Sequence, residues 1–222
     1  MQSFLSIAHR GASGYKPENT LIAFQKAIDF KVDGIELDVH LSSDGEIMVI
    51  HDETIDRTTN GKGFVKNCTS LQLKKLEIPT LIEVLELVNR NCFINIELKG
   101  MQTAKPVIKL IEQSILDKNW NYTDFLVSSF DWKMLEEVHL LNPKIRIGVI
   151  TEEFTQAALA FAKNIKAYSI HPGYRSLTEE NIALIQKNGF EVYPWTVNSA
   201  EDIQKIKSFN VNGMISDYPD RI

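Results

Sequence analysis

The chain has little cysteine. Cys68 and Cys92 are the only two among 222 residues and no CxxC spacing brings them together, which argues against a disulfide framework or a zinc knuckle. Both read as ordinary core or surface thiols. No dense Lys/Arg run appears, and the net charge is −5 with a pI of about 5.6. Nonspecific binding to nucleic acid or to an anionic membrane needs a basic patch, so neither partner is expected. No apolar run approaches the length of a membrane span. The opening "MQSFLSIAHRG" has neither a basic leader nor a small-residue cleavage site, and the expectation is a cytoplasmic protein without membrane insertion. A GxGxxG or GxxxxGKS loop after the first apolar run is also missing, which weakens a nucleotide-binding sheet.

What is present is a rhythm. Hydrophobic residues make up 44% of the chain, enough for a sizeable core in one domain over 1–222. Short β-branched runs recur: "FLSIAH", "GIELDVH", "FINIELK", "FLVSSF", "IRIGVI", "AYSIH", "EVYPWTV" and "GMISD". Between them the patterning predicts helices near 19–30, 80–90, 103–118, 131–141, 153–164, 178–188 and 199–208. Asn19, Thr80, Thr178 and Ser199 are N-cap candidates, and the glycine of "KNGF" is a helix stop. Eight strands alternating with helices predict an α/β fold, a TIM-type (β/α)8 barrel, with an open doubly wound sheet as the competitor.

A ninth apolar run, "EIMVIH", follows the second strand across "SSDG". A parallel crossover needs a dozen or more residues, so this run must return as an antiparallel hairpin, with its turn at 42–45. That brings His51 back beside Glu36. Residues 52–79, rich in Thr, Gly and Asn, read as a small insertion after the second strand.

The alternation in "GIELDVH" puts Ile35, Leu37 and Val39 on one face and Glu36, Asp38 and His40 on the other. In "FINIELK" the faces are Ile94, Ile96 and Leu98 against Asn95, Glu97 and Lys99. A barrel buries its outer faces under helices, so the polar faces point inward and three carboxylates share one enclosed space. Such carboxylates raise one another's pKa unless a cation lies among them. A hard divalent ion, Mg²⁺ or Ca²⁺, suits oxygen ligands; ion pairing with Lys99 and Arg10 is the alternative.

"IAHRG" puts His9 and Arg10 at the C-terminal end of the first strand, where barrels keep their active sites. With His51 on the excursion, two histidines suit general acid–base catalysis. Arg10 and Lys99 suit an anionic oxygen. Together these point to phosphoryl transfer or phosphate ester cleavage. His40, His139 and His171 read as structural histidines. Trp195 serves equally as core packing or as a rim against substrate.

The stretches "AHRGASGYKPENT", "DGIELDVHLSSDGEIMVIHDETIDRTTNGKG", "INIELK", "SSF", "WTVN" and "GMISDYP" resemble the glycerophosphodiester phosphodiesterase family across nearly the whole chain. The resemblance implies a TIM-type barrel and hydrolysis of glycerophosphodiesters to sn-glycerol 3-phosphate and an alcohol. It implies His9 and His51 as general base and acid, and Glu36, Asp38 and Glu97 as ligands of one divalent metal ion. Arg10 and Lys99 would bind phosphate, Trp195 and Phe130 would lie near the glycerol or alcohol end, and Glu18 would support the pocket. Water or the neighbouring glycerol hydroxyl is the nucleophile. The rivals are lipid cleavage of the phospholipase C or sphingomyelinase D type, and a noncatalytic phosphate-binding barrel. The chain ends six residues after Ser216, so the last helix is expected to be vestigial or missing. The first strand begins near residue 3, so a cap on the barrel floor must come from elsewhere. Either departure could promote a homodimer.

Overall fold

A computed structural model describes residues 4–222. In chain order the elements are β1 (Leu5–His9), α1 (Leu21–Asp29), β2 (Gly34–Leu41), β3 (Ile47–Val49), α2 (Ser70–Lys74) and α3 (Leu81–Val88). They continue with β4 (Phe93–Leu98), α4 (Ala104–Asp117), β5 (Phe125–Ser129), α5 (Trp132–Leu141), β6 (Arg146–Thr151) and α6 (Gln156–Asn164). The last are β7 (Ser169–Pro172), α7 (Glu179–Lys187), β8 (Glu191–Val192), α8 (Ala200–Ser208) and β9 (Gly213–Ser216).

The strands run β8-β7-β6-β5-β4-β2-β1-β9, all parallel, with β3 antiparallel on β2. This is the expected barrel. Its seam is closed by separate backbone bonds, not by a continuous ladder: Asn212 N–H donates to Val192 O, Ile215 N–H to Pro194 O and Val197 N–H to Ile215 O. The predicted strand "EVYPWTV" is therefore only two residues of regular ladder, since Pro194 has no N–H to give.

Local chemistry starts the helices. Thr80 and Glu83 form a capping box at α3, and Thr178 and Ser199 cap α7 and α8 through their side chains. The expected cap Asn19 is displaced by its neighbour. Thr20 accepts from Ala23 N–H, while Asn19 takes φ 56 and sends its amide to Asp38. Asparagine tolerates that left-handed backbone, and a buried carboxylate is the stronger acceptor.

The outer strand faces pack under the helices. Ile35, Leu37, Val39, Ile94, Ile96 and Leu98 join Phe24, Leu81, Val84 and Val107 in one core. Each such side chain contributes about 1.5–3 kcal/mol by leaving water. A separate cluster of Ile7, Leu126, Tyr193 and Ile215, with Phe93 and Tyr168 against it, fills the lower lumen. Side chains on or beside β1, β5, β8 and β9 thus fill it, with no capping helix among the described residues.

The segment after β3 has its own small core of Met48, Ile50, Ile55, Val65, Leu73 and Ile78. Asp44 at the hairpin tip ties it down, accepting from Ser70 N–H at 2.8 Å and Ser70 Oγ at 2.9 Å. Its Phe64 and Leu71 side chains are exposed. After β9 the chain makes only a single 3₁₀ turn, Pro219–Arg221, so the vestigial last helix is observed.

Candidate active site

The longest strand pairing sets the site. In the β2–β4 register Glu36 lies beside Asn95 and Asp38 beside Glu97, while β1 puts His9 beside Glu36. Because the pleat alternates, Glu36, Asp38 and Glu97 turn inward together. They are 3%, 1% and 8% exposed, and one ligand oxygen from each lies within 4.8 Å of the others. Burial, reinforced by the neighbouring negative charges, pushes Glu36 well above the carboxylate range and Glu97 up to about 7.

Positive groups offset this cluster only in part. Lys99 Nζ donates to Glu97 Oε1 at 2.9 Å and stands 3.8 Å from Asp38 Oδ1. Asp38 Oδ2 accepts from Asn19 Nδ2 at 2.8 Å and faces Arg10 Nε at 3.3 Å. Glu36 Oε1 and Asp38 Oδ1 have no hydrogen-bond partner although buried. Orphaned anionic oxygens are costly in a low dielectric. Oxygen-only donors converging on one point fit a hard divalent cation, so the residues present suit such an ion.

Arg10 owes its position to the backbone. It takes φ 55 directly after β1, followed by Gly11 at φ 80. A Cβ on Gly11 would meet the Ala23 backbone at 2.7 Å, so the turn requires glycine. The left-handed arginine costs about 1–2 kcal/mol. In return its N–H donates to Glu36 Oε2 at 2.9 Å and its guanidinium to Glu18 Oε1 at 2.8 Å. Burial alone would raise Glu18, but Arg57 and Arg10 hold it at about 2.

Both expected histidines reach one cavity of about 250 Å³, lined also by Arg10, Glu36, Asn95, Glu97, Lys99, Phe130, Glu152, His171 and Trp195. His9 Nδ1 donates to Asp217 Oδ1 and His51 Nδ1 to Asp52 Oδ1, each at 2.6 Å. With Nδ1–H held on a carboxylate, Nε2 of each ring is the nitrogen left without that bond. Burial lowers the His51 pKa, against the opposing pull of Asp38 and Asp52.

His51 does not return beside Glu36 as the hairpin reading had it. The register pairs Val39 with Val49, and Ile50 N–H donates to Asp38 O. A tight turn at 42–45 fixes the offset, and continuing that register puts His51 opposite Leu37, one position short of Glu36, with its ring held by Asp52 at 2.6 Å. Among the remaining histidines, His40 Nε2 bonds His51 O at 2.9 Å and steadies that residue, and His139 is on α5 away from the cavity. His171, read as structural, lines the cavity with Nδ1 unpartnered; its Nε2 bonds Ser169 Oγ at 2.7 Å. Burial lowers its pKa to about 3, so it is neutral.

Trp195 does both things: it packs against the cluster of Tyr193 and Ile215 and also lines the cavity. Its indole N–H donates to His171 O at 2.9 Å and its ring meets Phe130 edge to face at 5.4 Å. Sequence reasoning passed over the carboxylates behind the histidines. Asp52 follows His51 directly, a signal that was available; Asp217 lies at the far end of the chain. It also passed over Arg57, which donates to Glu18 Oε1 and Oε2 and to Asp52 Oδ1 and Oδ2 at 2.7–3.0 Å.

A model of the glycerophosphoryl diester phosphodiesterase family matches residues 9–221. The chain is 40% identical to a glycerophosphodiester phosphodiesterase of Caldanaerobacter subterraneus, covering 98% of this chain and 96% of that one. It is 33% identical to one of Bacillus subtilis, covering 97% and 84%. Among solved structures, the Thermotoga maritima glycerophosphodiester phosphodiesterase superposes with a TM-score of 0.85 at 31% identity, covering 99% and 97%. An Oleispira antarctica phosphodiesterase in complex with its product sn-glycerol 3-phosphate superposes with a TM-score of 0.85 at 27% identity, covering 97% and 94%.

Proposed function

The chain belongs to the glycerophosphoryl diester phosphodiesterase family, and we propose that it hydrolyses glycerophosphodiesters to sn-glycerol 3-phosphate and an alcohol with one Mg²⁺ or Ca²⁺ ion, using His9 and His51 as the proton-transfer pair. The observation that carries this reading is the pair of carboxylate-anchored histidines on a cavity lined also by Glu36 and Glu97, each with an oxygen within 4.8 Å of one from buried Asp38. The bound product of the Oleispira antarctica protein supports a small-molecule diester as substrate.

Glu36, Asp38 and Glu97 would hold the ion, which when bound supplies positive charge against the phosphoryl oxygens and lowers the cost of their developing negative charge. Arg10 and Lys99 bind the anionic phosphate beside it, Arg10 being locked by its turn and by Glu18. One histidine takes a proton at Nε2 from the attacking hydroxyl, and the other delivers one from Nε2 to the departing alkoxide oxygen. Asp217 and Asp52 hold each ring's Nδ1–H, so neither imidazole must reorient during transfer. The balance is one water consumed and one P–O ester bond broken. The attacking oxygen is that of water or of the neighbouring glycerol hydroxyl; the latter route passes through a cyclic phosphate that water opens. Asn95, with an unpartnered buried Oδ1 on the cavity wall, is placed to accept from a substrate hydroxyl.

The test is release of glycerol 3-phosphate from glycerophosphocholine with Mg²⁺, with Ca²⁺ and with EDTA, for the native protein and His9→Ala. Metal-dependent release that disappears in the variant is expected. Equal release in EDTA would remove the ion from the reading, and undiminished release by His9→Ala would remove the histidine.

A further inference from the structure

The run "WTVN" past β8 contributes Trp195 to the cavity, but its asparagine takes no part in proton transfer or phosphate binding. Asn198 lies where the barrel seam has no continuous ladder. Val197 N–H donates to Ile215 O, and Ile215 N–H to Pro194 O. Two residues on, Asp217 N–H meets a side chain in place of a main-chain carbonyl, donating to Asn198 Oδ1 at 3.0 Å. Ser216 Oγ donates to the same oxygen at 3.1 Å. Asn198 Nδ2 in turn donates to Asp217 Oδ2 at 2.6 Å. One amide thus holds both the backbone and the carboxylate of Asp217.

The orientation of that amide is fixed by its partners. A backbone N–H can only donate and a carboxylate can only accept, so oxygen must face the first and nitrogen the second. The Asn198 backbone is held too, because Ser199 caps α8 with its Oγ accepting from Asp202 N–H at 3.0 Å. On the far side of the carboxylate, Asp217 Oδ1 takes the His9 Nδ1–H and the Ser13 hydroxyl. Among the described residues only Asn198 donates to Oδ2, and without it the carboxylate is free to turn about its last torsion. Among the described residues lining the cavity Asn198 is not found, so its influence on the reaction runs through Asp217.

Resting on the proposed reaction, we propose that Asn198 is a positioning residue, which fixes the Asp217 carboxylate so that the His9 ring keeps one tautomer and one orientation. The seam of the barrel and the proton-transfer pair are thereby joined by a single side chain. Phosphate binding by Arg10 and Lys99 does not pass through this contact, so the effect falls on kcat.

The discriminating experiment is steady-state kinetics on glycerophosphocholine at fixed Mg²⁺ or Ca²⁺ for the native protein, Asn198→Ala and Asn198→Asp, each substitution also in an Asp217→Ala background. Asn198→Asp keeps the shape and the acceptor for Asp217 N–H but sets a carboxylate against a carboxylate, and it decides the matter if Asn198→Ala does not fold. Both are expected to lower kcat about 10–100-fold with KM within about twofold of native. In the Asp217→Ala background each should cost less than about twofold more, since the group through which Asn198 acts is gone. A second readout needs no turnover: the proton resonance of His9 Nδ1–H, assigned by its disappearance in Asp217→Ala, should be lost or broadened in both Asn198 variants while their circular dichroism stays native. A folded variant with native kcat and an unchanged resonance, or an equal loss of kcat in both backgrounds, would overturn the role and leave the reaction standing. A native protein that turns over no glycerophosphodiester would overturn the reaction, and the His9 resonance would then decide the contact by itself.

Discussion

His9 Nδ1 meets Asp217 Oδ1 at 2.6 Å across 208 residues of sequence. Asp217 also accepts from Ser13 Oγ at 2.8 Å and from Asn198 Nδ2 at 2.6 Å. Burial would raise its pKa, but these donors hold it at about 2, so the partner of His9 is a carboxylate throughout the physiological range. Asp217→Asn is expected to lower kcat by about 10²–10³ with a smaller change in KM, because an amide neither fixes the tautomer nor stabilises the imidazolium. Steady-state kinetics beside an unchanged circular dichroism spectrum checks it; a kcat within twofold of native would show that His9 needs no anchor.

Arg57 joins the insertion to the barrel. It bridges Glu18, from the loop before α1, and Asp52, the partner of His51. Arg57→Ala should lower kcat/KM about tenfold and hasten hydrogen exchange across 52–79, while Arg57→Lys, which keeps the charge but not the fork, recovers only part. Unchanged exchange in the alanine variant would leave the bridge without a mechanical role.

Metal binding should register as stability. With Glu36, Asp38 and Glu97 buried together, an ion that binds only the folded state raises the melting temperature in proportion to the logarithm of its concentration. Mg²⁺ or Ca²⁺ is expected to raise Tm in the native protein and not in Glu97→Gln. In EDTA the variant should melt no lower than native, since it removes one like charge from the cluster. A metal-dependent rise that survives Glu97→Gln would place the ion elsewhere.

Acid should unfold the protein partly through Glu18. Its carboxyl titrates near 4.3 when unfolded and at about 2 when folded. A depressed pKa contributes stability that is present above the unfolded value and is lost as pH falls toward the folded one. Urea midpoints for the native protein should therefore drop more steeply between pH 4.5 and pH 2 (roughly the window between those two values) than those for Glu18→Gln. Parallel slopes would mean that Arg10 and Arg57 stabilise the carboxylate equally in both states.

His139 gives the contrast. It is on α5 with no part in the cavity, and His139→Ala should leave kcat/KM within about twofold of native, as surface substitutions do. A loss comparable to that of His9→Ala would upset the assignment of the two histidines.

The parts of the molecule legible in its sequence were those set by short-range rules. Alternation in "GIELDVH" and "FINIELK" told which faces of β2 and β4 point inward, because successive side chains on a strand must oppose each other. The four-residue turn told that β3 returns antiparallel. Side-chain caps at Thr80, Thr178 and Ser199 were visible because a cap is chemistry within four residues. At Asn19 the same rule failed, since the pull came from Asp38 on another strand.

The sequence by itself determined the alternation of strands and helices and the inward carboxylates, consequences of periodicity, and the placing of His9 at a strand end and His51 after a hairpin, a consequence of local turn geometry. Only the tertiary structure decided what stands behind them. Asp217 reaches His9 because barrel closure makes β9 the neighbour of β1, and Arg57 reaches Glu18 because the insertion folds back on its own apolar core. The cavity wall of Phe130, Glu152 and Trp195 likewise comes from the ends of three strands far apart in sequence. Such contacts follow from how a sheet curves and closes, and no pattern of adjacent residues encodes them.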